Sequence, residues 1–93
     1  MKIKFTKQAI IERDQNIQYL LDEWNISVAS QFLDEIDERI ELLEKGILEG
    51  NYDTDLGMYR ILIVSQITMH FVVENQTIFI TNFWNNYKKP LWL

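Results

Sequence analysis

The stretch from Gly57 to Trp84 constrains this chain most. β-Branched and aromatic residues fill Tyr59 to Ser65, Thr68 to Val73 and Thr77 to Phe83. Such residues favour strands, because stiff, branched side chains pack well on a pleated surface. The polar break Glu74-Asn75-Gln76 has the length and composition of a hairpin turn. In the first run Tyr59, Ile61 and Ile63 oppose Arg60, Leu62 and Val64; in the third, Ile78 and Ile80 oppose Thr77, Phe79, Thr81 and Phe83. The alternation is clean only in parts, which predicts at least one strand buried on both faces. The residues from Trp84 to Leu93 then read as a tail at the rim of this sheet.

The N-terminal half supplies the covering layer. Lys2 to Phe5 alternates charge and apolar bulk, as a short edge strand does. Thr6 is placed to cap a helix from Lys7 to Trp24, whose stripe is Ile10, Ile17, Leu21 and Trp24, widened by Ile11 and Leu20. Asn25-Ile26-Ser27 breaks the pattern, and Ser27 is the expected cap of a second helix, Val28 to Lys45. Its stripe is Ala29, Phe32, Leu33, Ile36, Ile40 and Leu43, and Gly46 ends it. The short turn predicts an antiparallel hairpin. Ile47 to Leu56, with Gly50, Asn51, Asp53 and Asp55, reads as a loop. The expected architecture is α+β in two layers: one domain over residues 1–93, with a helical hairpin packed on a mainly antiparallel four-stranded sheet, in the order β-α-α-β-β-β.

Charge and composition remove several classes of function. The net charge is −5, and residues 1–55 hold six cations against thirteen carboxylates, whereas residues 56–93 hold three against one. A chain this acidic is no generic nucleic-acid binder, because phosphate affinity comes from neutralised charge. There is no cysteine and a single histidine, which excludes disulfides, thiolate chemistry and a thiolate or histidine-cluster metal site. No apolar run reaches the ~18 residues of a membrane span, and the N-terminus lacks the pattern of a signal peptide. A cytoplasmic location, no cofactor and no membrane partner are the expectations.

Few residues offer chemistry. There is no glycine-rich phosphate loop and no zinc-protease motif. The acidic side of the second helix presents carboxylates at cation-binding spacings, but a solvated helix face has the same pattern. Arg60, on a strand, would project onto the open sheet face and bind phosphate or carboxylate, or its head would pair with Glu74 or a loop aspartate. His70 has the intrinsic pKa of a general acid or base, but no partner stands beside it in the sequence. Tyr87, Lys88 and Lys89 could stack on and neutralise a nucleotide, or simply form a polar turn. Trp84 and Trp92 are either core or a partner-binding patch.

The ordered set Thr6-x-x-Ala9, Tyr19-Leu-Leu-x-x-Trp24, Ala29-x-x-Phe32, Tyr59-Arg-Ile-Leu-Ile-Val-Ser65 and Ile78-Phe-Ile-Thr-Asn-Phe-Trp-Asn-Asn-x-x-x-Pro90 resembles the RelE/ParE superfamily of toxins from type II toxin–antitoxin systems. It is similar above all to short ParE-like plasmid stabilisation proteins. The resemblance implies a toxin held by a cognate antitoxin. ParE-like members imply binding of DNA gyrase without hydrolysis; RelE-like members imply ribosome-dependent mRNA cleavage without a metal. Arg60 matches the family's strand arginine. Relatives carry Tyr-Arg where this chain has Phe71-Val72, and Asp-x-Arg where it has Asn85-Asn86-Tyr87. A ribonuclease of this kind needs several cations to hold charge in the transition state, and its candidates here are Arg60, His70, Tyr87 and Lys88. With that arginine missing, ParE-like binding of a protein target is the leading expectation, through Arg60, Trp84, Tyr87, Lys88, Lys89 and Trp92. The alternatives are a RelE-like nuclease acting on ribosome and mRNA, and an attenuated, non-toxic interaction module.

Overall fold

A computed structural model of the chain describes residues 1–47 and 50–88. Its elements are β1 (Lys2–Phe5), α1 (Lys7–Glu23), α2 (Ile26–Glu44), β2 (Asn51–Asp53), β3 (Met58–Val64), β4 (Ile67–Glu74) and β5 (Thr77–Asn85). The helices form a hairpin on one face of a five-stranded sheet in the order β1-β5-β4-β3-β2. Only β1 and β5 run parallel. The α+β, two-layer expectation holds. The fifth strand, β2, forms inside the stretch expected to be a loop, and Gly50 permits it. Gly50 has a φ of +102°, and a Cβ there would overlap the Arg60 carbonyl, so only glycine lets β2 approach β3 this closely.

Local chemistry sets the boundaries. The Thr6 hydroxyl accepts from the Ala9 N–H at 3.1 Å and caps α1. Asn25, rather than the expected Ser27, caps α2, accepting from the Val28 N–H at 2.9 Å. An amide oxygen two residues upstream of Ser27 reaches the first turn, so the helix begins at Ile26. Asn75 and Gln76, with φ values of 49° and 63°, make the two-residue β4–β5 turn. Both central residues at positive φ match the twist of a tight hairpin.

β5 runs to Asn85, so Trp84 belongs to the sheet rather than to a tail. A bulge between β4 and β5 explains why the alternation fails. His70 stands opposite Asn82 but Phe71 opposite Ile80, which leaves Thr81 unopposed. The extra residue shifts the phase of β5, so Phe83 is buried together with Ile78 and Ile80, where strict alternation places it on the other face. Phe83 sits edge-on to Phe32 of α2 at 5.9 Å and stacks near Phe5 of β1 at 6.3 Å.

α1 buries Ala9, Asn16 and Leu20 and packs Ile17 against the core, whereas Ile10, Ile11, Leu21 and Trp24 of the expected stripe stay exposed. The reason lies in β5. β1 pairs with Thr77 to Ile80 only, so the outer edge of β5 beyond that point lacks a strand partner. α1 lies along it. The Glu12 carboxylate accepts from the Phe83 N–H at 2.9 Å and from the Asn82 side-chain amide at 3.1 Å. The Asn16 side-chain amide donates to the Phe83 carbonyl at 2.8 Å. Polar side chains here satisfy strand backbone, and that fixes which face of α1 turns inward.

Glu12→Ala is expected to destabilise the fold by about 1–3 kcal/mol, because it leaves the Phe83 N–H unsatisfied. Glu12→Gln, which keeps an acceptor oxygen, should cost less. Ile36→Ala, a plain core truncation on α2, should cost about 2–5 kcal/mol. Urea denaturation of the three variants measures the ranking.

Candidate functional site

The sheet face away from the helices carries the candidate site. On β3, alternation turns Tyr59, Ile61 and Ile63 toward the helices and leaves Arg60 and Leu62 exposed on the other face. On β4, His70 stands in register with Arg60 across one ladder and with Asn82 across the other. On β5, Trp84 pairs with Thr68. These side chains line an open groove of about 340 Å³, closed at one end by Asp53 of β2 and at the other by Asn86.

Arg60 is the cation of this groove. Its guanidinium lies 3.7 Å from the Asp53 carboxylate, and its side chain remains half exposed. Asp53 is held in place by its own turn. One carboxylate oxygen accepts from the N–H groups of Asp55 and Leu56 at 3.0 and 3.1 Å, and the other faces Arg60. At this length the pair is a loose, partly solvated ion pair of small net energy, and an anion from outside competes with Asp53 on equal terms.

His70 is only 2% exposed, although it lies on the open face. The Trp84 ring covers it, with centroids 4.5 Å apart and planes tilted by 49°. Its Nδ1 is buried and has no hydrogen-bond partner. Burial pushes its pKa below 6.5, and the Arg60 charge lowers it further, against opposing pulls from Asp53 and Glu12. His70 is therefore neutral at pH 7. A group so enclosed meets a bound ligand only if Trp84 moves.

The other sequence candidates lie elsewhere. Asn85 accepts through its side chain from the N–H groups of Tyr87 and Lys88, at 2.9 and 3.2 Å, and turns the chain back toward α1. The Tyr87 ring reaches Trp24 at 5.8 Å, and the Lys88 ammonium lies 4.7 Å from the centre of the Tyr19 ring. Neither lines the groove. Lys89 and Trp92 lie outside the described residues. The structure thus brings Arg60, His70 and Trp84 together and takes Tyr87 and Lys88 to the end of α1. It also adds Asp53, Leu62, Thr68 and Asn86. Alternation along β3 and β4 already marks Leu62 and Thr68 as companions of Arg60 and His70. Asp53 is illegible without β2. No group of three or more His, Asp or Glu side chains able to hold a metal occurs among the described residues. Nor is any helix among them long and apolar enough to cross a membrane.

Neither a family model nor a curated protein sequence matches the chain. Solved structures do. A chain of the chromosomal ParDE toxin–antitoxin system from P. aeruginosa superposes with a TM-score of 0.72 at 17% identity, over 91% of this chain and 95% of that one. This is the fold of the RelE/ParE toxins. The YoeB dimer from Staphylococcus aureus superposes with a TM-score of 0.60 at 16% identity, over 94% and 98% of the two chains. The heterotetrameric YoeB–YefM toxin–antitoxin complex from the same organism gives a TM-score of 0.59 at 19% identity, with the same coverage. The likeness in each case is one of fold.

Because His70 is the sole histidine, its titration is directly visible by NMR. The unfolded chain takes up this proton as pH falls through 6.5, while the folded chain resists it. Stability is therefore expected to be full above pH 6.5 and to decline as pH falls from there toward the folded-state pKa. His70→Phe should flatten that slope, and Arg60→Ala should move the histidine pKa back up.

Proposed function

We propose that the chain is the toxin of a type II toxin–antitoxin pair. It acts by binding a protein target such as DNA gyrase, and a cognate antitoxin holds it in check. The observation that carries this reading is the separation of the groups a ribonuclease needs. Cutting RNA without a metal requires cations gathered around one phosphate and a proton donor and acceptor in reach of it. In the groove a single arginine faces Asp53, and the histidine is neutral, enclosed and covered by Trp84. Tyr87 and Lys88, the other two candidates, are held against Trp24 and Tyr19.

What remains suits binding. Arg60 offers a planar fork for one carboxylate or phosphate, while Leu62 and Trp84 offer exposed apolar surface beside it. The superposition on the ParDE chain, closer than that on the YoeB chains, supports the same reading. The loose Arg60–Asp53 pair has a second consequence. If Asp53 masks Arg60 in the cell, the chain is an attenuated copy whose contact with an antitoxin outlasts its toxicity.

Induced expression in a host without the antitoxin separates these cases. Growth arrest with inhibited supercoiling is the expected result. Arg60→Ala should relieve the arrest and weaken target binding by about tenfold or more, the loss of one charge-assisted contact of ~1.5–3 kcal/mol. Rapid cleavage of translated mRNA would overturn the proposal in favour of a ribonuclease. No arrest at all would favour the non-toxic module.

A further inference from the structure

Glu74 ends β4 with its carboxylate unused. It is the single acidic residue between Leu56 and Leu93, and the sequence allows Arg60 as its partner. The structure gives Arg60 to Asp53 instead, and no ion pair or hydrogen bond reaches the Glu74 side chain among the described residues. Nearby, the helix-side face of the sheet carries one cross-strand row of rings. Tyr52 of β2 stands opposite Tyr59 of β3, and Tyr59 opposite Phe71 of β4. Tyr59 stacks on Phe71 at 5.1 Å with planes 9° apart, which fixes its orientation. Tyr52 meets Tyr59 at 5.0 Å with planes 69° apart and remains 55% exposed. Two rings at this angle form a corner. The next position of the row pattern is empty. Counting two residues from the Tyr59–Phe71 pair places Gly57 beside Val73. Gly57 brings no side chain, and a Cβ built on it would touch nothing within 4 Å. The result is a notch of about 420 Å³ lined by Tyr52, Gly57, Tyr59, Val72, Val73 and Glu74. Its outer wall is held in place, because the Gly57 N–H donates to the Asp53 carbonyl at 2.8 Å and the Asp53 carboxylate secures the same turn.

The chemistry of this lining selects its occupant. An aromatic face carries partial negative charge and attracts a cation. Glu74 adds a full negative charge at the same notch, so an anion is repelled, and a neutral ligand leaves the carboxylate without a partner. A bare metal ion needs several oxygen ligands, and no group of three or more His, Asp or Glu side chains able to hold one occurs among the described residues. Val72 and Val73 present apolar surface beside the rings. A plain ammonium is strongly hydrated and loses that water at a cost. A cation clad in methyl groups meets valine and ring face with its methyls and Glu74 with its charge.

We propose that the notch between Tyr52, Tyr59 and Glu74 binds a methylated or quaternary ammonium group. Tyr52 supplies the ring face, Glu74 supplies the counter-charge, and Tyr59, pinned by Phe71, sets the angle of the corner. Choline-like small molecules carry such a group, and so does a trimethylated lysine side chain of a protein. The two rings lie on the sheet face opposite Arg60, and the notch takes the opposite charge. The inference is therefore independent of the reading of the sheet groove.

NMR titration of the full chain tests it with choline and with dimethylbutanol, the uncharged analogue in which carbon replaces the nitrogen. Choline should shift the ring resonances of Tyr52 and Tyr59 and bind at least about tenfold more tightly than the alcohol. Tyr52→Leu should weaken choline binding by about tenfold, whereas Tyr52→Phe, which keeps the ring face, should retain it. Glu74→Gln should weaken binding by about fivefold and flatten its dependence on ionic strength. Both positions are exposed, so circular dichroism should show the fold intact in all three variants. Arg60→Ala should leave binding unchanged. A peptide bearing trimethyllysine identifies the source. Binding tighter than that of choline assigns the notch to a protein side chain, weaker binding assigns it to a small molecule, and either supports the site. Equal affinity for the alcohol, tyrosine resonances that choline does not move, equal losses from Tyr52→Phe and Tyr52→Leu, or indifference to both Tyr52→Leu and Glu74→Gln would overturn the proposal.

Discussion

The fold depends on a handover at residue 83. β5 outruns β1, so the backbone groups of Phe83 face an edge with no strand beyond it. Glu12 and Asn16, one helical turn apart on α1, accept and donate there in place of a strand. This fixes the rotation and height of α1 against the sheet. The position of α2 follows, because a two-residue turn joins the helices and Phe32 must reach Phe83. The exposure of part of the α1 stripe follows as well. A helix whose inward face is set by two polar anchors cannot also turn Ile10, Leu21 and Trp24 inward.

Much of this architecture was legible in the sequence, and the failures share a cause. Strand runs, helix spans, the Thr6 cap and the outward direction of Arg60 all follow from short-range pattern, which local sterics and alternation enforce. Leu20 and Ile17 of the α1 stripe do meet the core, but Ile10, Leu21 and Trp24 were misjudged because apolar spacing alone does not reveal that a glutamate and an asparagine are needed inside. Phe83 was misjudged because the bulge at Thr81 reverses the phase of everything after it, and no residue type there announces a bulge. β2 was missed because its three residues, Asn51, Tyr52 and Asp53, are paired by the approach that Gly50 permits rather than by strand propensity.

The site divides along the same line. Arg60 and His70 were found in the sequence as isolated possibilities, and register made them neighbours. Tyr87 and Lys88 looked equally eligible. The Asn85 turn takes them instead to aromatic partners on α1, away from the groove. Of a constellation assembled from residue types, then, the half within the sheet converges and the half beyond it does not.

The parallel pairing of β1 with β5 has a consequence for synthesis. Lys2 meets Thr77, and the anchors of α1 wait for Phe83. The first strand to leave the ribosome is thus among the last to find its place, and the sequence separation it spans makes that closure slow. A nascent chain stopped short of β5 has an unpaired β1, an undocked α1 and no Trp84 over its histidine. The sheet groove does not exist on such a fragment, so whatever binds there must wait until β5 has been made.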